Sequence, residues 1–399
     1  MTEQAVQDRL TTPPLGIYVH LPWCVRKCPY CDFNSHARNP GLISESPYLA
    51  ALEADLRQDL ALLGTPRPVH SVFIGGGTPS LFSPEAIGQL LKTLRRHLPF
   101  RPDTEITMEA NPGTFERERF HGYRAAGVNR LSVGIQSFND THLQRLGRIH
   151  SGHDASQAIS AAHEIGFDHL NLDLMYGLPG QDLNEALADL EQAIDLGPDH
   201  ISHYQLTIEP NTPFAQRPPR LPPDETLWRM ERRCRVALGR AGFKRYEVSA
   251  FARPGAACRH NLNYWTFGDY LGIGAGAHGK LTDTASGHIW RTRKQSHPQR
   301  YLATASTTAR LADHEAVPPI ARPLEFLMNA LRLTDGFRLE LYRQRTALSP
   351  ELLLQSLAAA LSDGLLRQQA DSVIPTVRGL ALTNELLLSF MADEIAASA

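Results

Sequence analysis

The sequence predicts an α/β fold: a partial (β/α)6 TIM-like barrel followed by a mainly helical, winged-helix-like C-terminal module. Three observations lead there. Between Leu15 and Glu209, short and near-continuously apolar runs alternate with longer segments of helical period, the pattern of strands buried on both faces of a parallel sheet. The unusual polar residues and glycines sit just after these runs, at the carboxyl ends of strands, where parallel α/β folds gather their sites. Beyond a proline-rich break the pattern changes, and after Arg322 it becomes helical.

Strands are expected at LGIYVHL (from Leu15), HSVFIGG (from His70), EITMEA (from Glu105), RLSVGIQ (from Arg130), LNLDLMYG (from Leu170) and ISHYQLTI (from Ile201). Helices are expected at Ser44 to Leu63, Ser83 to Leu98, Thr114 to Ala126, Asp140 to Leu146, Asp154 to Ile165 and Leu183 to Leu196. Six such units are too few for an eight-stranded barrel and enough for a partial one. The stretch EPNTPFAQRPPRLPPDE, with Pro210, Pro213, Pro218, Pro219, Pro222 and Pro223, opposes regular structure and marks a boundary. A helix from Glu225 to Ala241, a strand KRYEVSAF and the segment CRHNLNYWTFGDYLGIGAGAHG follow. Helices at PLEFLMNALRL and PELLLQSLAAALSDGLL, a hairpin in LLRQQADSVIPTVRGLALT and a last helix then make up the module. The expected division is a tail at 1–14, the barrel at 15–223, an extension at 224–321 and the module at 322–399.

With 399 residues the chain can bury a full core without disulfide scaffolding. Its 40 basic and 42 acidic residues give a formal charge of −2, which excludes a global attraction to nucleic acid or anionic membrane. The module is no exception, with seven arginines, no lysine and nine acidic residues, so no nucleic-acid partner is expected. The N-terminal stretch lacks a signal-peptide core, and no apolar run of about 18 residues occurs. A soluble, cytoplasmic protein is expected, and in that reducing compartment clustered cysteines point to metal or chemistry.

Cys24, Cys28 and Cys31 stand in the pattern CxxxCxxC. A closed zinc site would need a fourth ligand, which His20 or His36 could supply. An iron–sulfur cube held by three thiolates leaves one iron open to an external ligand. Gly75, Gly76 and Gly77 end the second strand, where missing side chains allow close approach to a ligand. Together with the cysteines one strand earlier, they favour the open cluster.

These motifs resemble the radical S-adenosylmethionine superfamily, and within it the oxygen-independent coproporphyrinogen III dehydrogenase family. The resemblance rests on IYVHLPWCVRKCPYCDF, IGGGTPS, TMEANPGT, RLSVGIQSFND, LDLMYGLPGQ and HNLNYW, from Ile17 to Trp265, and extends to the C-terminal module. It implies a [4Fe–4S] cluster on Cys24, Cys28 and Cys31. It also implies S-adenosylmethionine contacts from Tyr18, Tyr30, Gly76, Gly77, Thr78, Glu109, Gln136, Arg148, Asp173 and Thr207. Carboxylates suit ammonium and ribose hydroxyl groups, and a guanidinium suits a carboxylate.

Two features depart from the dehydrogenase pattern: Phe33 replaces a further cysteine, and 23 residues precede Cys24. Both direct the resemblance to the family's haem chaperone (HemW-type) branch, which carries HNxxYW, here His260, Asn261, Tyr264 and Trp265. That branch implies haem as ligand, with His260 as the haem-binding residue and Cys258 as a second candidate. It implies a haem-accepting protein, at a peripheral membrane site or elsewhere, and an electron donor if the cluster is reduced. Cys234 is expected to pack in its helix, and GIGAGAHG, with His278, reads as a turn near the site. The expected function is haem binding and delivery without coproporphyrinogen dehydrogenase activity. The alternatives are that dehydrogenase, working by radical decarboxylation, and a zinc-stabilised barrel.

Overall fold

The computed structural model describes residues 9–63, 65–113 and 116–397, with side chains left out at 116–117 and 391–397. The first eight residues of the expected tail and the expected helix start at Thr114 lie outside the described residues. The six expected strands form: β1 (Leu15–Leu21), β2 (Val69–Gly76), β3 (Phe100–Ala110), β4 (Arg130–Gln136), β5 (His169–Tyr176) and β6 (His200–Gln205). They pair in parallel in chain order. Every residue of β4 is buried, and of β1 only Tyr18 is less than buried, as a two-face burial requires.

The helices between them are α1 (Glu45–Leu63), α2 (Pro84–His97), α3 (Glu116–Ala126), α4 (Asp140–Arg145), α5 (Gly152–Ile165) and α6 (Leu183–Asp195). Their limits are written locally. Ser83 caps α2 ahead of Pro84, while Ser151 with Asp154 and Asp182 with Glu185 form reciprocal capping boxes on α5 and α6. Gly166 ends α5 in the left-handed region. The proline-rich stretch is irregular except for one turn, Pro213–Gln216, which Thr212 caps.

After α7 (Asp224–Arg240) the expected single strand KRYEVSAF is instead two short strands, β7 (Lys244–Arg245) and β8 (Ala250–Ala252), paired antiparallel. Glu247 forces the turn by accepting from both the backbone N–H and the hydroxyl of Ser249, at 2.9 and 3.1 Å. Helix α8 (Arg259–Trp265) then leads into four strands that sequence reading missed: β9 (Asp269–Ile273), β10 (His278–Asp283), β11 (His288–Lys294) and β12 (Leu311–Ala316). β9 runs parallel to β1, and the others continue the sheet antiparallel. The sheet has twelve strands among the described residues, ordered β12-β11-β10-β9-β1-β2-β3-β4-β5-β6-β8-β7.

Charged residues obscured these strands. Lys294 is fully buried, its ammonium 2.6 Å from Asp55 and Asp59 on α1, and Arg310 bonds the same two carboxylates. Lys280, also buried, donates to Asp269 at 2.9 Å. A buried charge is tolerated only when paired, and the partners of Lys294 lie more than 230 positions away in sequence.

The C-terminal residues form α9 (Arg322–Ala330), α10 (Leu339–Thr346), two short helices (Pro350–Ser356 and Ala358–Ser362) where one was expected, and a final helix (Thr383–Ala397). The expected hairpin, Leu366–Gln369 with Ser372–Pro375, gains a third strand from Phe337–Arg338, completing a winged-helix-like arrangement. Its core includes Phe326, Leu327, Phe337 and Tyr342 and reaches Phe267, in the turn before β9, and Ile289 of β11. No helix among the described residues is long and apolar enough to cross a membrane.

Candidate functional site

The loop after β1 is closed by a short parallel bridge between Trp23–Cys24 and His36–Ala37. Asn34 anchors it from within: its Nδ2 donates to the carbonyls of Ala275 and Ser296, both at 2.9 Å, and its own carbonyl lies 2.8 Å from His20 Nε2. Cys24, Cys28 and Cys31 are free, partly buried thiols that line one cavity of about 130 Å³ at the carboxyl ends of the parallel strands. Thr78 Oγ1 donates to Cys24 Sγ at 3.5 Å, and Arg148 Nη1 stands 4.0 Å from Cys28 Sγ. Burial pushes the thiols of Cys24 and Cys31 up.

Tyr30, Gly76, Gly77, Thr78, Glu109, Gln136, Arg148 and Asp173 line the same cavity. The glycines serve the protein as well as the space. A Cβ on Gly77 would meet the Trp23 carbonyl oxygen at 2.5 Å, and Gly76, with φ +116°, lies against the His20 ring. The Gly76 N–H donates to Glu109 Oε2 at 3.1 Å. Burial, and secondarily the Asp173 charge, raise the Glu109 carboxyl to about 8. Burial also raises Asp173, although Ser132 and Asn171 donate to it at 3.0 and 2.9 Å. The Arg148 charge favours the ionised form of Asp173 but does not offset its burial, and the two carboxyl groups make a receptor for an ammonium or for hydroxyl groups. Arg148 donates to Gly134 O at 2.6 Å and to Asn111 Oδ1 at 2.8 Å. Gln136 takes φ +68°, a left-handed conformation costly for a side chain of this kind, and its Oε1 accepts from Tyr204 at 2.9 Å.

Three expected residues lie elsewhere. Tyr18 lines an adjoining cavity of about 450 Å³, which shares Phe33, Gly76 and Glu109 with the first. Thr207 is exposed and bonds Glu209 at 2.7 Å, away from both cavities. His260 is 1% exposed, with Nδ1 3.0 Å from Ser71 Oγ and Nε2 3.1 Å from Tyr264 Oη, so both ring nitrogens are engaged. Burial lowers its pKa to about 3. Cys258 is buried and its thiol is raised to about 12; it donates to Glu105, whose carboxylate also accepts the N–H groups of Arg259 and His260.

The zinc alternative finds little support in the geometry. His20 bonds Tyr18 Oη and the Asn34 carbonyl, and His36 bonds Asn34 Oδ1. Among the described residues no group of three or more His, Cys, Asp and Glu is placed to hold a single metal ion, and neither histidine joins the three thiols.

Family comparison agrees with this geometry. Residues 18–193 match the model of the radical SAM superfamily, and residues 317–382 match the HemN C-terminal domain. The protein named heme chaperone HemW of Haemophilus influenzae is 50% identical over 385 residues, covering 96% of this chain and 99% of its own. The chain belongs to the HemW family of the radical SAM superfamily. A heme chaperone HemW of Mycobacterium tuberculosis is 37% identical, covering 95% of each chain. The Bos taurus mitochondrial radical S-adenosyl methionine domain-containing protein 1 is 36% identical, covering 94% of this chain and 87% of its own. Among solved structures, coproporphyrinogen III oxidase (HemN) of Escherichia coli superposes with a TM-score of 0.80 at 26% identity, covering 98% of this chain and 93% of that one. Membership in the superfamily implies a [4Fe–4S] cluster and S-adenosylmethionine as cofactors.

Sequence reasoning missed Asn111, Ser132 and Tyr204, which link Thr78, Asp173 and Gln136 to their neighbours. A signal was available for Asn111, two residues after Glu109 at a strand end. None marked Ser132 or Tyr204 inside their apolar runs.

Proposed function

We propose that the chain is a haem chaperone. In this reading Cys24, Cys28 and Cys31 hold a [4Fe–4S] cluster, S-adenosylmethionine binds exchangeably beside it, and the protein passes haem to an acceptor protein. The observation that carries the reading is the single cavity at the strand ends lined by three free thiols and eight of the expected cofactor-binding residues, in a chain half identical to a heme chaperone along nearly its whole length.

The residues present suit these groups. When bound, the cluster supplies one iron with an open position and one-electron chemistry. Thr78 donates to the Cys24 sulfur, which favours its thiolate form, and the Arg148 guanidinium stands beside the Cys28 sulfur. Glu109 and Asp173 suit the positive and hydroxyl-bearing parts of S-adenosylmethionine, and Arg148 suits its carboxylate. The Gly77 N–H donates to Leu21 O at the end of β1 and the Thr78 N–H to Trp23 O at the start of the cysteine loop, both at 2.8 Å, so cofactor and loop positions are coupled.

Anaerobic reconstitution with iron and sulfide, then parallel haem titration and a coproporphyrinogen III assay with S-adenosylmethionine and a reductant, tests the reading. About four irons and four sulfides per chain, haem binding and no porphyrinogen turnover are expected. Robust turnover to protoporphyrinogen IX would assign the chain to the dehydrogenase activity instead.

A further inference from the structure

A haem site needs an imidazole or comparable ligand whose nitrogen is free, flat apolar surface for the macrocycle and a cation for its propionates. The cavity of about 450 Å³ beside the cysteine loop supplies all three, within the size range of small-molecule sites. Two histidines line it. His20 is spent, with both ring nitrogens bonded to Tyr18 and Asn34. His278 is exposed at the start of β10, and no described group hydrogen-bonds its ring. Burial and the neighbouring Arg293 and Arg291 lower its pKa, so its imidazole is neutral at physiological pH, the form that binds a metal.

The surroundings fit the other two requirements. His278 and Arg293 are direct cross-strand partners on β10 and β11, so their side chains share one face of the sheet. Arg293 keeps one edge on Asp313 through its Nε, at 2.5 Å, which leaves terminal N–H groups for a carboxylate. Tyr18, Tyr264 and Tyr270 supply aromatic wall, with Tyr264 and Tyr270 set edge to face at 4.5 Å, and Phe33 stands 63% exposed at the junction with the cysteine cavity. A large apolar ring left in solvent beside a cavity is what a planar apolar ligand would cover.

Resting on the haem chaperone reading, we infer that haem binds in this cavity with His278 as its iron ligand, Arg293 at a propionate, and Phe33 and Tyr264 against the macrocycle. His260 is then a positioning residue. Its Nε2 holds the Tyr264 hydroxyl, and its ring stacks on Phe73 at 5.2 Å. The Gly274–Ala277 turn that precedes His278 is fixed to the cysteine loop by the Asn34 bond to the Ala275 carbonyl, so the haem ligand and the cluster loop share one support.

The test titrates ferric haem into the reconstituted full chain and reads affinity together with the optical and electron paramagnetic resonance signatures of the axial ligand. His278→Ala is expected to weaken binding by about tenfold or more and to lose the nitrogen-ligand signature, which added imidazole restores. His278→Cys is expected to shift the spectrum to thiolate ligation, and iron and sulfide contents stay at the wild-type level in both variants. His260→Ala is expected to keep the nitrogen-ligand signature while weakening affinity by a smaller factor. If His278→Ala keeps wild-type affinity and signature, or if His260→Ala alone abolishes the signature, the assignment is overturned and the chaperone reading stands. If the wild-type chain binds no haem, both fall.

Discussion

Glu109→Gln should make the protein's stability less sensitive to alkali. The carboxyl lies half-buried between the two cavities, and burial with the Asp173 charge moves it from an ordinary 4.5 to about 8. Between those values the folded chain holds a proton that the unfolded chain has released. The contribution is therefore whole below about 4.5 and is lost as pH rises through about 8. A displacement of that size corresponds to a ceiling of about 5 kcal/mol, at roughly 1.4 kcal/mol per decade. Coupling to Asp173 and water in the adjoining cavities reduce it, so the expected loss between pH 5 and pH 8 is about 2 kcal/mol more for wild type than for Glu109→Gln. Urea denaturation of the two cluster-loaded proteins at pH 5, 6.5 and 8 measures this difference. S-adenosylmethionine added at pH 8 should recover more stability in wild type, because a cation beside Glu109 favours its charged form. Parallel pH profiles for the two proteins would refute the reasoning.

The buried charge cluster and the strained glutamine give two further expectations. Lys294→Met leaves Asp55 and Asp59 with Arg310 alone and should cost about 3–5 kcal/mol in chemical denaturation, because a buried carboxylate pair loses half its neutralisation. Gln136→Gly relieves the φ +68° conformation and should leave stability unchanged or about 1 kcal/mol higher. The same variant removes the partner of Tyr204 from the cavity and should weaken S-adenosylmethionine binding several-fold by calorimetry.

The candidate site was legible wherever chemistry follows strand order. CxxxCxxC, the glycine triplet, Glu109 and Gln136 read as strand-end residues of successive units, Arg148 and Asp173 follow from the family resemblance, and parallel strands in chain order bring all of them to one cavity. Two of the expected residues lie outside that cavity. HNxxYW places His260 inside the barrel wall against Ser71, a contact across 189 positions, and leaves Tyr264 facing the open cavity. Thr207 follows its strand closely in sequence, yet the chain has already turned outward there, and its hydroxyl bonds Glu209.

By itself the sequence determined the local terms: which runs are apolar on both faces, where caps and glycines start and stop helices, and how far apart three thiols can lie. Only the tertiary structure decided what stands beside them. The parallel seating of β9 against β1 carries the Gly274–Ala277 turn to Asn34 across 241 positions, sets Lys294 onto Asp55 across 239, and opens a cavity between the cysteine loop and His278. Periodicity reports how one segment meets water or core, whereas strand order and the pairing of buried charges depend on the free energy of the whole packed sheet, to which no single segment holds the key.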